Sequence, residues 1–410
     1  MTTHWAIYID NDSHKSGFIE EVLKQGQTVF KFPVKKKGAL FSPLAVTKFI
    51  NKEEQYGRSA LKNSRQPLKT MSSGEQKKAL LNFIIQEQPD YIILDNPFDN
   101  LDIDSQAELK QLLIQKSQDI SFIQLASRKS DILPFINRFG TLKEGEFIQL
   151  DAKSTTDTIN ATPVFNKQLP KPIHTHGSVT NILIEFRNVS ILYKDRPILK
   201  NISWKVQKGD FWQLMGKNGS GKTTMLSMIF GDNPKAYGQD IYIFGKKKGT
   251  GESVWEIKEQ IGYFSSNMTD KYTGRHSVEQ MLISGFTDAV GLYTLPTETQ
   301  KQRSKEWLVL LGLWEKRTTL FRFLSTGQQR LLMTARAMVK HPPLLILDEP
   351  TAGMDDNAAA LLVALVNKIA QETNTSIIFV SHRIEPGLLP KSIYELEMTP
   401  NGSTGSTVPA

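Results

Sequence analysis

Phe211-Trp212-Gln213-Leu214-Met215-Gly216-Lys217-Asn218-Gly219-Ser220-Gly221-Lys222-Thr223-Thr224 is the stretch from which the fold can be read. Residues 211–215 form a short apolar run suited to a buried strand, and residues 223–230 continue with apolar spacing suited to a helix. Between them lies G-x-x-x-x-G-K-[ST], in the strand-to-helix context that gives the motif its meaning. Glycines let a backbone wrap phosphate groups, whose charge meets converging N–H groups and the start of a helix. Gly216, Asn218, Gly219, Ser220, Gly221, Lys222, Thr223 and Thr224 are therefore the expected phosphate contacts. Lys222 would reach the outer phosphates, and the Thr223 hydroxyl would ligate Mg2+.

Further landmarks follow in order. Leu324-Ser325-Thr326-Gly327-Gln328-Gln329-Arg330 precedes an amphipathic run, and Leu344-Leu345-Ile346-Leu347 leads as a buried strand to Asp348-Glu349-Pro350. Ala352-Gly353-Met354-Asp355 comes next, and Ile377-Ile378-Phe379-Val380-Ser381-His382 is a second apolar strand ending in a histidine. With the phosphate loop, this series resembles the ABC ATPase family, in which such residues are the signature, the Walker B strand, the D-loop and the switch histidine. The resemblance implies ATP and Mg2+ as ligands. It assigns Asp348 and Thr223 to the metal, Glu349 to polarising the attacking water, His382 to sensing the γ-phosphate, and Tyr193, 29 residues before Lys222, to stacking on adenine. Where the family places a glutamine in Ile-Gly-Tyr-x-x-Gln, this chain has Ile261-Gly262-Tyr263-Phe264-Ser265-Ser266, so Ser266 becomes the expected third metal ligand. That departure, with Ser277-Val278-Glu279-Gln280 and Gly291-Leu292-Tyr293, resembles the ModF-type tandem ATPases associated with molybdate transport.

The landmarks recur. Trp5, Asn11, Ser13 and Lys15 fall 207 positions before Trp212, Asn218, Ser220 and Lys222; Ser72, Gly74 and Asp95 fall 253 positions before Ser325, Gly327 and Asp348. The difference, 253 minus 207, leaves 46 residues present only in the second copy. The expected fold is α/β: two P-loop ABC cassettes in tandem, each a mainly parallel sheet with a helical subdomain that is reduced in the first copy. The expected boundaries are a degenerate cassette over 1–150, a Pro/Thr-rich linker over 151–180, a complete cassette over 181–398 and a disordered polar tail over 399–410.

Losses in the first copy are selective. Ile9, Asp12 and His14 replace the three glycines, and Asp10 and Asp12 bring negative charge to the phosphate path. Asn96 stands in place of the glutamate and cannot act as a base, and Arg128 replaces the histidine. Only 14 residues precede Lys15, leaving no room for an adenine platform. Yet Met71-Ser72-Ser73-Gly74-Glu75-Gln76 and Phe98-Asp99-Asn100-Leu101-Asp102 are a usable signature and D-loop, the elements that the family offers to a partner's nucleotide. The first half thus reads as a lid, with Ser72, Ser73 and Gly74 as contacts to nucleotide held by the second.

Composition bounds the rest. With 410 residues, 39% hydrophobic, 22% charged, the chain can bury two cores. It has no cysteine, which excludes disulfides, thiol nucleophiles and cysteine metal sites. A net charge of +8 reads as a solvated surface, and no nucleic-acid partner is expected, because Lys35-Lys36-Lys37 and Lys246-Lys247-Lys248 are not interleaved with aromatics. With no run of about 18 apolar residues and no signal peptide, the chain is expected in the cytoplasm, peripheral at the inner membrane and paired with a separately encoded permease. The two halves are expected to pair within one chain, with a homodimer as the competing arrangement. A soluble ABC factor acting on ribosomes, or a regulator, is the rival function.

Overall fold

The computed structural model describes residues 2–11, 13, 15–25, 37–56, 67–99, 101–143, 145–151, 165–174, 180–251, 253–272, 274–289 and 291–409. Asp12, His14, Lys35, Lys36 and Asn100, like most of the expected linker, lie outside them. The chain divides into two compact units, Met1–Ala161 with Gly353–Asn357, and Thr162–Ala352 with Ala358–Ala410.

In the first unit, strands β1 (Trp5–Tyr8), β2 (Gly38–Phe41), β3 (Tyr91–Asp95), β4 (Ser121–Ala126), β5 (Arg138–Lys143) and β6 (Glu146–Leu150) form one sheet in the order β2-β3-β4-β1-β5-β6. All neighbours are parallel except the terminal pair β5–β6. Ile92, Leu94 and Phe122 point to one face and Ile93, Ile123 and Ile7 to the other, so two apolar layers form on opposite sides of the same strands. Helices α1 (Lys15–Gln25), α2 (Pro43–Tyr56), α3 (Ser73–Gln86) and α4 (Ile103–Lys116) belong to this unit.

The second unit repeats the arrangement. Before its phosphate loop come β7 (Ile182–Tyr193) and β8 (Arg196–Gln207), a long hairpin closed by Lys194 and Asp195 at φ 45° and 67°. They join β10 (Ile241–Ile243) and β11 (Lys246–Lys247) in an antiparallel sheet. The main sheet contains β9 (Phe211–Gly216), β12 (Ile261–Ser265), β13 (Leu344–Asp348), β14 (Ser376–Ser381), β15 (Ser392–Glu397) and β16 (Thr404–Pro409), in the order β12-β13-β14-β9-β15-β16. Position for position, this is the order of the first sheet, again antiparallel only at its last pair. Its helices are α5 (Lys222–Phe230), α6 (Val254–Glu259), α7 (Val278–Ile283), α8 (Glu298–Leu310), α9 (Thr326–Met338) and α10 (Asp356–Glu372). Helices α7 and α8 lie between the phosphate loop and the signature, the interval where the second copy has its extra residues.

One expectation fails. The polar C-terminal segment is ordered: residues 404–409 pair antiparallel with β15, and Ser403, 3% exposed, exchanges main-chain bonds with Ile198 and Lys200. Gly405 lies directly over the Tyr394 ring, where a side chain would collide with its hydroxyl. Polar composition hid the strand because an edge strand with outward polar side chains is held by its backbone ladder. Within the expected linker, residues 165–174 have no regular secondary structure and are docked: the Leu169 N–H donates to Glu372 (2.9 Å), and Lys368 donates to the Phe165 carbonyl (3.2 Å). Residues 152–164 and 175–179 lie outside the described residues.

Candidate nucleotide site

Four strands of the second sheet, β12, β13, β14 and β9, run parallel, so their carboxyl ends emerge along one edge. That edge is where an open α/β sheet presents its ligand contacts. It brings together Ser265, Asp348, Ser381 with His382 and the phosphate loop.

The loop takes its shape from three glycines at positive φ: Gly216 (154°), Gly219 (81°) and Gly221 (96°). A Cβ on Gly216 would meet Ser220 Oγ at 2.6 Å, and one on Gly221 would meet Leu199 at 2.6 Å. Helix α5 starts at Gly221 without a side-chain cap, so its first N–H groups face the loop's concavity. The Lys222 ammonium donates to the carbonyls of Gly216 (2.6 Å) and Lys217 (3.1 Å), which curls the loop around it. Ser220 is 1% exposed, and its hydroxyl finds no hydrogen-bond partner among the described residues. A buried orphan hydroxyl in a glycine loop that leads into a helix N-terminus fits a bound phosphate. Asn218, Gly219 and Thr223 are exposed, and Thr224 is half-buried.

Glu349 follows β13, its N–H held by the Val380 carbonyl (2.9 Å), and takes a left-handed conformation at φ 49°. Its Oε2 lies 2.9 Å from His382 Nδ1, and Arg383 Nε donates to His382 Nε2 at 3.4 Å. Both contacts are satisfied by the Nδ1–H tautomer. Asp348 is approached by the Tyr263 hydroxyl (3.5 Å) and is hydrogen-bonded by Ser265, its register partner on β12. Neither residue is among the expected site residues. Ser266, the expected third metal ligand, opens a 3-10 turn with its carbonyl accepting from Thr269 (2.8 Å). The Asp348 carboxylate and the Thr223 hydroxyl are hard oxygens of the kind that suits Mg2+. Among the described residues there is no cluster of three or more acidic or histidine groups that would hold a metal by itself. Tyr193 ends β7 with 40% of its surface exposed, and its hydroxyl accepts from Asn233 (2.8 Å), which also donates to Ser227 of α5 (3.0 Å). Asn233 thus ties the exposed ring to the phosphate-loop helix.

Burial first, and the neighbouring Glu349 second, raise the Asp348 carboxyl above the ordinary Asp value of 3.8; burial pushes the Tyr263 phenol up to about 12. An acid whose pKa is raised by folding destabilises the fold above its folded pKa, and the penalty vanishes below the unfolded one. Asp348→Asn is therefore expected to raise the melting temperature of the nucleotide-free chain at neutral pH while losing Mg2+-dependent hydrolysis. The gain should shrink as pH falls toward 3.8. Scanning calorimetry across that range checks it, and a variant that melts lower at neutral pH contradicts it.

The same edge of the first sheet is differently furnished. Asn96, at φ 44°, repeats the Glu349 backbone, with its N–H on the Leu125 carbonyl (3.0 Å). Its side chain accepts from the Ser127 N–H (3.0 Å). Lys15 is ion-paired with Asp95 at 2.9 Å. Ile9 is 6% exposed and packs in the core. Ser72 caps α3 in a capping box with Glu75, as Ser325 caps α9 with Gln328; Ser73 begins α3. A Cβ on Gly74 would strike Ser105 at 2.7 Å, so that glycine also permits the approach of α4.

A family model, ABC transporter, matches residues 199–352. The ABC transporter ATP-binding protein ModF of Escherichia coli is 37% identical over 364 residues, 85% of this chain and 73% of that protein. The zinc uptake system ATP-binding protein ZurA of Listeria innocua is 33% identical over 206 residues, 49% of this chain and 77% of its own. An archaeal ribosome recycling factor, solved with a ribosomal stalk protein, superposes with a TM-score of 0.62 at 14% identity, covering 98% of this chain and 85% of that one, a likeness of fold alone.

Proposed function

Because the chain belongs to the family of ABC transporter ATP-binding proteins, which are ATPases, we propose that it hydrolyses ATP at one competent site, in its second half, with the first half as lid. The observation that carries this reading is the contrast at one backbone position: Glu349 faces His382 at 2.9 Å, whereas Asn96 is bound to Ser127 and Lys15 to Asp95. Phosphates would lie on the N–H groups of residues 216–223 with Lys222 against the outer ones, and Tyr193 would carry the adenine. Glu349 accepts the proton of the attacking water, and His382 orients Glu349. Mg2+, when bound, neutralises charge that develops on the transferring phosphoryl group. Thr223 and Asp348, with Ser266 as the further candidate, would hold it.

In this reading Lys222→Ala abolishes high-affinity ATP binding in titration calorimetry and Lys15→Ala is nearly silent, since Lys15 serves Asp95. Two equally tight sites in the parent chain would overturn it.

The role of that hydrolysis follows the relatives. We take the chain as the energising subunit of a transporter, cytoplasmic and peripheral at the inner membrane, working with a separate permease that carries molybdate or a related oxyanion. The 37% identity to ModF over most of both chains supports this, as does the absence, among the described residues, of any helix long and apolar enough to cross a membrane. A soluble, ribosome-directed factor is the second reading, favoured by the likeness of fold over 98% of the chain. Trapping the chain in ATP with Glu349→Gln and sedimenting it against purified membranes and ribosomes separates the two: membrane capture supports transport, and ribosome capture overturns it.

A further inference from the structure

We propose that a cationic cavity at the amino ends of β9, β13 and β14 binds a small organic phosphate with an apolar body, as a second ligand apart from the nucleotide. The cavity has a volume of about 690 Å³, the size of a small-molecule site. Its described lining residues all belong to the second unit. They come from residues 168–172 with His174, from Lys208 between β8 and β9, from residues 341–343 before β13, and from residues 372–375 between α10 and β14. The three strands run parallel, so this edge lies opposite the one that carries Lys222, Glu349 and His382. Open α/β sheets take their usual ligand at the carboxyl edge, and an occupant of the amino edge is therefore not the hydrolysed nucleotide.

The walls are tied together by their own hydrogen bonds. The Gly209 N–H donates to Ser376 Oγ (2.8 Å), and that hydroxyl donates to the Gln207 carbonyl (3.0 Å), which fixes the turn carrying Lys208 to β14. The Thr375 hydroxyl donates to the Pro342 carbonyl (2.9 Å), and the Ser376 N–H to the Pro343 carbonyl (2.9 Å). The remaining wall, residues 168–172, is held through Leu169 on Glu372. A cavity so braced needs little ordering when a ligand enters.

Charge selects an anion. Lys171, Lys208, His174 and His341 line the cavity against Glu372, the one carboxylate among the described lining residues. That carboxylate is already met by Lys368 and the Leu169 N–H, so the field left over is positive. Two ammonium groups suit a phosphate, to which lysine binds as a point charge. Shape selects the rest of the ligand. Pro170, Pro172, Pro342 and Pro343 give walls without N–H donors, on which an apolar ring can lie, and an inorganic ion would leave most of the volume unused. His341 adds a further sign. It stands at φ 51° just beyond α9, where glycine takes the left-handed conformation without a Cβ penalty, yet the chain spends an imidazole there and lines the cavity with it.

The probe that tests this is 1-naphthyl phosphate, titrated calorimetrically into the full chain without ATP. Saturable binding of one equivalent is expected in the parent chain and in Lys222→Ala. Lys171→Glu and Lys208→Glu together should weaken it at least about tenfold, since two attractions become repulsions. Both lysines are exposed, so the pair of substitutions leaves the fold in place. Inorganic phosphate and 1-naphthol, the head and the body alone, should each bind at least about tenfold more weakly than the ester. In the parent chain the bound probe should slow hydrogen exchange at the Leu169, Lys171 and Thr375 amides, a reading that needs no variant. Absence of saturable binding, unchanged binding in the lysine double variant, or 1-naphthol binding as tightly as the ester overturns the proposal. Loss of binding in Lys222→Ala also overturns it, because the probe would then occupy the phosphate loop.

Discussion

Glu349→Gln is expected to bind ATP as tightly as the parent chain and to turn it over at least about a hundredfold more slowly. Only the proton acceptor is removed: the amide has the same size, and the backbone stays as it is. A positioned general base contributes roughly 10²- to 10⁴-fold, and an effect confined to kcat is the sign of an interaction made in the transition state. The site adds a second expectation. Glu349 sits at φ 49°, a conformation that costs a residue with a Cβ about 1–2 kcal/mol, whereas Asn96 occupies the equivalent φ of 44° with a residue type that tolerates it. Asn96→Glu should therefore lower the first half's stability by about 1 kcal/mol and create no second activity, because Lys15 stays paired with Asp95. Single-turnover hydrolysis beside equilibrium ATP binding checks both. Near-parental turnover in Glu349→Gln would remove Glu349 from the mechanism.

Ser72→Arg is expected to abolish hydrolysis and Ser325→Arg to reduce it far less. Ser72 and Ser325 each cap a helix through a capping box, so each substitution costs about 1 kcal/mol of local stability, and the pair is matched for structural damage. They differ in which nucleotide their helix would serve. When the halves close on ATP, the serines and N–H groups of residues 72–74 would meet the γ-phosphate on Lys222 and complete its charge-stabilising shell. A guanidinium there would block closure after ATP has bound, so turnover falls while initial affinity stays. The signature at Ser325 would face the first half's pocket, which needs no turnover. If instead two chains pair through their second halves, Ser325 serves Lys222 of the other chain and the ranking inverts. Steady-state ATPase of both variants, with molecular mass measured in ATP, decides between a monomer that closes on itself and a homodimer.

How far the sequence alone reached follows from where each feature's cause lies. Gly216, Gly219 and Gly221 were legible because positive φ is a local demand, written into residue type. Asp348 and His382 were legible because parallel strands place whatever follows their last apolar residue at one shared edge. The duplication was legible for the same reason, since two chains of landmarks in one order give one strand order twice. Partners distant in sequence were not legible. Ser265 rather than Ser266 bonds Asp348 because the pairing register sets which serine lies across from it. Asn233 tethers Tyr193 through a contact 40 residues away. Residues 404–409 are a strand because β15 offers an open edge, although Gly405 and Pro409 are of types that strands disfavour. Residue chemistry and local backbone demands determined the kind of site and its main groups. The tertiary structure decided which neighbours hold those groups, because hydrogen bonds between distant segments depend on register and packing that no local pattern records.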